Sequence, residues 1–484
     1  TLGDGHIDAV EINGAVAGLM TDEMYERSGQ AYRPLDLTIG DVRTFLERTD
    51  RKYDFITLLN THRIWSMGFR GPPEYCHTKE AIGSYFEHLT EDGFVIFEEL
   101  NTNPLADMGI RRFIHTVKTA LKEKGVERPQ NHLAVWEHWG RCKRRAWNRD
   151  KCPQGSHMTF LAIKKTPIDQ AEYEHLQDWA KMIHDRSVKN KGPFYSGIKW
   201  RYLPQAPTKH YFSKVVLEDD IYGTPGIDPA IHDMAPATDD RPFPFDVFKE
   251  RTVQTEMLKN VGLVCLVLVL IPSIIAFSRR RKDASSPKGS LARATLLVLY
   301  FAVLGIAYLF IEIVLIQRLQ IFLSSPTVSL VVVLGTMLIS SGIGGYLSGR
   351  LKTRGIAVSM LVIVALTAAS YFFYSNALGL LMPLPFAARV AFAVLMVAVI
   401  GFFMGVPFPV GLRLTKSSLT ERHACLYFGI NGALGALATP LSILLSSLAG
   451  FDLTFMAGGA AYLVSLLILL AALRAGGDRA IEAE

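Results

Sequence analysis

Five cysteines in 484 residues, none in a CxxC or CxxCH arrangement, together with the lack of any HExxH, exclude a four-cysteine zinc site, covalently held haem and a zinc-peptidase helix. The histidines offer no substitute. His6, His132 and His138 stand at no ligand spacing and read as ordinary surface residues, so no metal is expected. Basic charge is also modest: the net +6 sits largely in short connections between apolar runs. That placement marks membrane topology, and no nucleic-acid partner is expected. A secretory signal is missing, and the chain opens at Thr1 rather than at a methionine, so further sequence is expected upstream.

Long apolar sequence is abundant, and all of it lies in the second half. Residues 1 to 250 mix charged, aromatic and apolar residues as a water-exposed domain does, whereas apolar runs dominate from Leu258 onward. A helix needs about 20 predominantly apolar residues to cross a bilayer. Seven runs qualify: 258–277, 295–316, 328–347, 356–374, 390–410, 425–448 and 453–473. The expectation is an α/β domain over 1–165, an irregular aromatic-rich juxtamembrane region over 166–255, and an all-α domain of seven transmembrane helices over 256–484.

Basic residues alternate between the connections. Arg279, Arg280, Arg281, Lys282, Lys288 and Arg293 fall in the first, Arg350, Lys352 and Arg354 in the third, Arg413, Lys416 and Arg422 in the fifth, and Arg474 and Arg479 in the tail. The opposite side holds Lys249, Arg251, Lys259, Arg318 and Arg389. Basic residues favour the cytoplasmic side, so the α/β domain is expected outside the cytoplasm, in the periplasm, on a multi-pass protein of the inner membrane. Gly342, Gly344, Gly345 and Gly349, and then Gly429, Gly432 and Gly435, have the spacing of close helix contacts. Glu312 is the intramembrane carboxylate, expected near the outer end of its span and open to pairing with Arg318, to interfacial water or to a transport role. Asn431, Thr439, Pro440 and the Pro407-Phe408-Pro409 run mark polar contacts or breaks.

In the first half, strand signals at 7–12, 35–39, 55–59 and 94–97 alternate with helical patterns at 15–27, 42–48, 78–89 and 110–124. This alternation predicts a parallel sheet covered by helices. Residues 133–139 and 158–164 then read as an antiparallel pair joined by a long excursion, an order that matches the doubly wound fold of methyltransferases.

Four segments carry a more specific resemblance: Ile7-Asp8-Ala9-Val10-Glu11-Ile12-Asn13, Gly40-Asp41-Val42-Arg43-Thr44-Phe45-Leu46, Tyr53-Asp54-Phe55-Ile56, and Glu74-Tyr75-Cys76-His77-Thr78-Lys79-Glu80-Ala81. With His88-Leu89-Thr90-Glu91-Asp92-Gly93-Phe94 and Thr238-Asp239-Asp240-Arg241-Pro242-Phe243, their order and spacing resemble spermidine-synthase-like proteins, in particular the membrane-bound branch described as fused transporter and spermidine synthase. The resemblance implies that Glu11 accepts the ribose hydroxyls of a nucleoside and Asp41 its adenine amino group. It also gives Tyr75 and Asn60 catalytic positions. Read without it, Glu11 is a strand-end carboxylate and Asp41 a helix N-cap.

The chain departs from that family in ways that bear on activity. A glycine-rich turn normally precedes the Glu11 strand by about 20 residues, and here only Gly3 and Gly5 precede it. Asn60 stands where the family has an acid; it keeps hydrogen bonds but cannot act as a base. The first strand of such a sheet lies between the second and the fourth, so its slot is expected to be filled by upstream residues or by a separate polypeptide.

The excursion between the last two strands carries Trp136, His138, Trp139, Arg141, Lys143, Arg144, Arg145, Trp147 and Arg149. Cys142 and Cys152 there could close a disulfide loop, as suits an oxidising compartment, or remain free thiols. Asp239-Asp240-Arg241 reads as an ion-paired turn. The function expected is a membrane-anchored, spermidine-synthase-like protein without aminopropyl transfer, whose domain binds partners or assembles with other subunits of a membrane complex. One alternative is an active transferase of aminopropyl or methyl groups using S-adenosylmethionine or its decarboxylated form. The other is a small-molecule or polyamine transporter relying on Glu312.

Overall fold

The computed structural model describes residues 5–32, 35–58, 73–101, 104–142, 157–189, 194–249, 258–268, 271, 274, 290–351, 353–416 and 424–475. The chain forms two compact units, one made of 1–45 with 253–484 and the other of 46–252. The expected boundary near 165 does not coincide with this division.

In the first unit, strand β1 (Asp8–Glu11) leads through helix α1 (Gly14–Thr21) to strand β2 (Asp36–Ile39), and β1 and β2 pair in parallel. Asn13 caps α1 by accepting the Ala15 N–H at 3.0 Å. A short helix, α2 (Val42–Leu46), follows. The Thr44 hydroxyl donates to the carbonyl of Ile321 at 2.5 Å and so fastens this segment to a helix of the apolar half.

The second unit holds a five-stranded sheet in the order β3-β4-β6-β5-β7, formed by Tyr53–Leu58, Leu89–Asn101, His157–Lys164, Leu133–Cys142 and Phe194–Tyr202. Strands β3 and β4 are parallel, and all other pairs are antiparallel. Gly93 lets β3 and β4 approach, since a Cβ there would stand 2.6 Å from the Tyr53 carbonyl oxygen. Helix α3 (Lys79–Glu87) is capped by Thr78, and α4 (Pro104–Glu123) buries Ile110, Phe113, Ile114, Val117 and Leu121, a single stripe at helical spacing. The other sheet face packs Ala134, Trp136, Ile168 and Leu203 with Phe160 and Trp200.

Residues 166–255 are more regular than expected. Helix α5 (Gln170–Lys189), strand β7 and helix α6 (Tyr211–Leu217) occupy much of the segment. Strand β7 interleaves its aromatic residues with Ser196, Gly197, Lys199 and Arg201, and pairing with β5 sets its Trp200 against the Trp136 ring, a long-range contact that no local pattern announces.

The apolar half contains helices α7 (Leu258–Leu268), α8 (Ser290–Phe322), α9 (Pro326–Leu347), α10 (Thr353–Leu381), α11 (Phe386–Gly405), α12 (Pro407–Lys416), α13 (Ala424–Ala449) and α14 (Phe451–Ala475). Among the described residues five helices are long and apolar enough to cross a membrane, not seven. The expected first span survives as the short apolar helix Leu258–Leu268, with its remainder largely outside the described residues, and the fourth as the apolar stretch Gly355–Ala369. The expected close helix contacts hold at particular glycines. A Cβ on Gly344 would stand 2.0 Å from the Phe402 carbonyl, and Gly435 lies against Leu309, whereas Gly342, Gly429 and Gly432 face open space. The break at Pro407 is real, but Pro440 lies inside a continuous α13.

Candidate functional site

Parallel pairing brings the two acids singled out in the sequence to one edge. Glu11 ends β1, Asp41 follows β2, and both stand at the carboxyl end of the pair, where open α/β sheets bind ligands. Each carboxylate is held by its own turn. Glu11 Oε1 accepts the Asn13 N–H at 2.8 Å, and Asp41 Oδ1 accepts the N–H groups of Arg43 and Thr44 at 2.8 and 3.4 Å. Asp41 is thus an N-cap, and Glu11 braces the turn that starts α1. At the opposite end of the same strands, His6, Asp8 and Asp36 place three ligand atoms within 4.8 Å of one another. Such a donor set could hold a divalent ion, although His6 and Asp36 are largely exposed and His6 Nε2 is 2.8 Å from Asp8 Oδ1. Pairing of two distant strands creates this cluster, so the spacing in sequence hides it.

The second unit concentrates titratable groups near the start of α3. Tyr75 is buried in the turn before the helix. His77 is 1% exposed, its Nε2 is 3.0 Å from Glu99 Oε1, and Phe97, Phe113 and Phe245 surround its ring. Burial holds the imidazole below its usual pKa, opposed by the charge of Glu74. Alternation along β4 could have exposed this pair, because Glu99 falls on the same face as Val95 and Phe97.

A second knot closes over the helix N-terminus. Glu80 Oε2 accepts the Asp239 N–H at 2.9 Å, and the Thr78 hydroxyl donates to Asp239 Oδ1 at 2.6 Å. Burial first, and then the charge of Asp239, push the Glu80 carboxyl up to about 7. Arg241 of the expected ion-paired turn Asp239-Asp240-Arg241 pairs with Asp233, eight residues earlier in the chain. Arg112 is fully buried and donates to the carbonyls of Ala235, Phe243 and Asp246 at 2.7 to 3.0 Å, which ties this segment to α4. Near the start of α4, the Arg111 guanidinium bonds Asp107 at 3.1 Å and lies 3.9 Å over the Tyr211 ring, while Arg201 pairs with the buried Glu137. Burial lowers His210, beside this group, to about 4.

His132 is not the surface residue expected; it is 8% exposed and meets the Phe86 ring edge-on. Asn60 and Cys152 lie outside the described residues, so the Asn60 position and the Cys142 to Cys152 pairing do too.

Among the apolar helices, Asn431 Nδ2 donates to the Phe301 carbonyl at 3.0 Å and joins α13 to α8. Arg318 pairs with Asp452 in the first turn of α14, not with Glu312. Glu312 is deeper than expected because α8 continues to Phe322, about 15 Å further at 1.5 Å per residue. Set against models of protein families and against curated proteins, the chain matches none.

Proposed function

We propose that this is a membrane-anchored protein of the spermidine-synthase type whose α/β part serves binding or assembly and does not transfer aminopropyl groups. The observation that carries the reading is the state of the two acids. Glu11 and Asp41 stand at the ligand edge of a parallel strand pair, yet both carboxylates are bonded to backbone N–H groups of their own turns. The antiparallel pairing of β5 with β6 supports the methyltransferase-type ancestry, although β1 and β2 form a two-stranded sheet apart from the other five strands. The basic residues Arg350, Arg354, Arg413, Lys416 and Arg474 at alternate helix ends support an extracytoplasmic, periplasmic α/β part on an inner-membrane protein.

Calorimetric titration of the full-length protein with S-adenosylmethionine and with its decarboxylated form tests the reading. No saturable heat is expected from either nucleotide, and Glu11→Ala should change nothing. Micromolar binding abolished by Glu11→Ala would overturn it in favour of a transferase. That second reading has one observation behind it: Glu11 Oε2 has no partner among the described residues and is available to a ribose hydroxyl.

A further inference from the structure

Glu312 sits inside a helix bundle at 7% exposure and makes no hydrogen bond or ion pair with any described residue. Tyr308, one turn earlier, shares its face of α8. Helix α14 runs antiparallel against that face, as the pairing of Arg318 with Asp452 near their ends requires. Gly458 of α14 packs on Ala307, Phe310 and Ile311, and this contact brings Tyr462 into the electrostatic neighbourhood of Tyr308 and Glu312. The Tyr462 hydroxyl and that of Ser465, one turn on, are wholly buried and have no hydrogen-bond partner among the described residues.

Among the described residues no other ionisable group answers the carboxyl. Tyr300 of α8 donates to the Pro407 carbonyl, Tyr346 of α9 is 79% exposed, and Tyr427 of α13 stacks on Phe301. Arg389 of α11 bonds the Phe322 carbonyl and Ser324, and Arg413 of α12 bonds the Ser348 carbonyl. A carboxylate taken out of water requires either a proton or a cation. Orphaned buried hydroxyls beside it mark a place where a hydrogen-bonding group belongs.

We propose that Glu312, with the hydroxyls of Tyr308 and Tyr462, forms an intramembrane site that holds a proton and exchanges it for the ammonium group of a small primary amine. An ammonium has three N–H donors and no acceptor, and one carboxylate with two phenol oxygens offers three matching acceptors. A divalent metal takes six or more oxygens, more than these side chains present. This site is independent of the reading of the α/β part.

The test uses the full-length chain in liposomes and dicyclohexylcarbodiimide, which labels carboxyls held protonated in an apolar medium, with the modified peptide found by mass spectrometry. Labelling at Glu312 should fall as pH rises, and methylammonium should slow it about tenfold. Tetramethylammonium and sodium at the same ionic strength should not. Tyr462→Phe should still be labelled but lose most of the methylammonium protection, and Tyr308→Phe gives the same measurement should the first variant fail to fold. The proposal is overturned if Glu312 is unlabelled at every pH, if methylammonium gives no protection, if sodium or tetramethylammonium protects equally, or if protection survives both tyrosine variants.

Discussion

Glu80 is the residue with the clearest dependence on pH. Its carboxyl keeps a proton to about 7 in the folded state against 4.5 for an unperturbed group. Between those values the folded state binds more protons than the unfolded chain, so the contribution of Glu80 to stability falls as pH rises through that window. Glu80→Gln stays neutral and can still accept the Asp239 N–H. At pH 8 it should unfold with a free energy higher than wild type by about 1–2 kcal/mol, allowing for partial exposure. Denaturant titration of the protein at pH 5 and pH 8 checks this; an unchanged difference between the two pH values would count against it. His77 makes the opposite point about neutrality. His77→Leu removes the donor to the buried Glu99 and should cost about 3 kcal/mol, whereas Glu99→Gln, which still accepts from the ring, should cost under about 1 kcal/mol. Equal losses in the two variants would show that the bond is not the source. Both residues are visible in the sequence as polar positions, but their partners lie 22 and 159 residues away. Only Glu99 could have been placed inside from the period of its strand.

Helix contacts separate glycines that look alike in sequence. Gly342 and Gly344 are two positions apart on α9, and so fall on different faces of it. A methyl group on Gly344 would meet the Phe402 carbonyl of α11 at 2.0 Å, whereas one on Gly342 meets nothing within 4 Å. Gly344→Ala should therefore lower stability in detergent by about 1–3 kcal/mol. Gly342→Ala should be neutral or gain up to about 1 kcal/mol, since alanine is the better helix former. Thermal unfolding followed by far-ultraviolet circular dichroism checks the pair, and equal midpoints would refute the assigned faces. Apolar length predicted where most helices run, because a bilayer demands about 20 such residues whatever their neighbours. Among the described residues five such helices are found rather than seven, and the first and fourth expected spans are represented by the shorter apolar stretches Leu258–Leu268 and Gly355–Ala369. Strand β7 and helix α5 were missed because their apolar side chains are interrupted by charged and polar ones, and Tyr173, Leu176, Ile198 and Trp200 find their partners in a cluster assembled from distant strands.

At the scale of the molecule, the α/β sequence is divided between two units. Residues 1–45, which hold both acids of the expected nucleoside site, group with the helical half, and the bond from Thr44 to the Ile321 carbonyl is one of the ties. Cleavage at a protease site introduced between Asp50 and Arg51, both exposed, should leave the N-terminal fragment copurifying with the helical region. Its release into solution would contradict this grouping. Thr44→Val should loosen the same fragment and make it easier to wash away. By itself the sequence determined the two halves, the α/β alternation, the positions of most apolar helices and the two acids at strand ends. These follow from periodicity and from the solvent each segment must meet, which are local properties. The tertiary structure alone decided that Arg318 belongs to Asp452, that Glu312 is left without a partner among the described residues, and that Glu11 and Asp41 are held by their own turns. Those outcomes depend on which distant groups reach a charge first in a medium with little water, and no spacing along the chain records that competition.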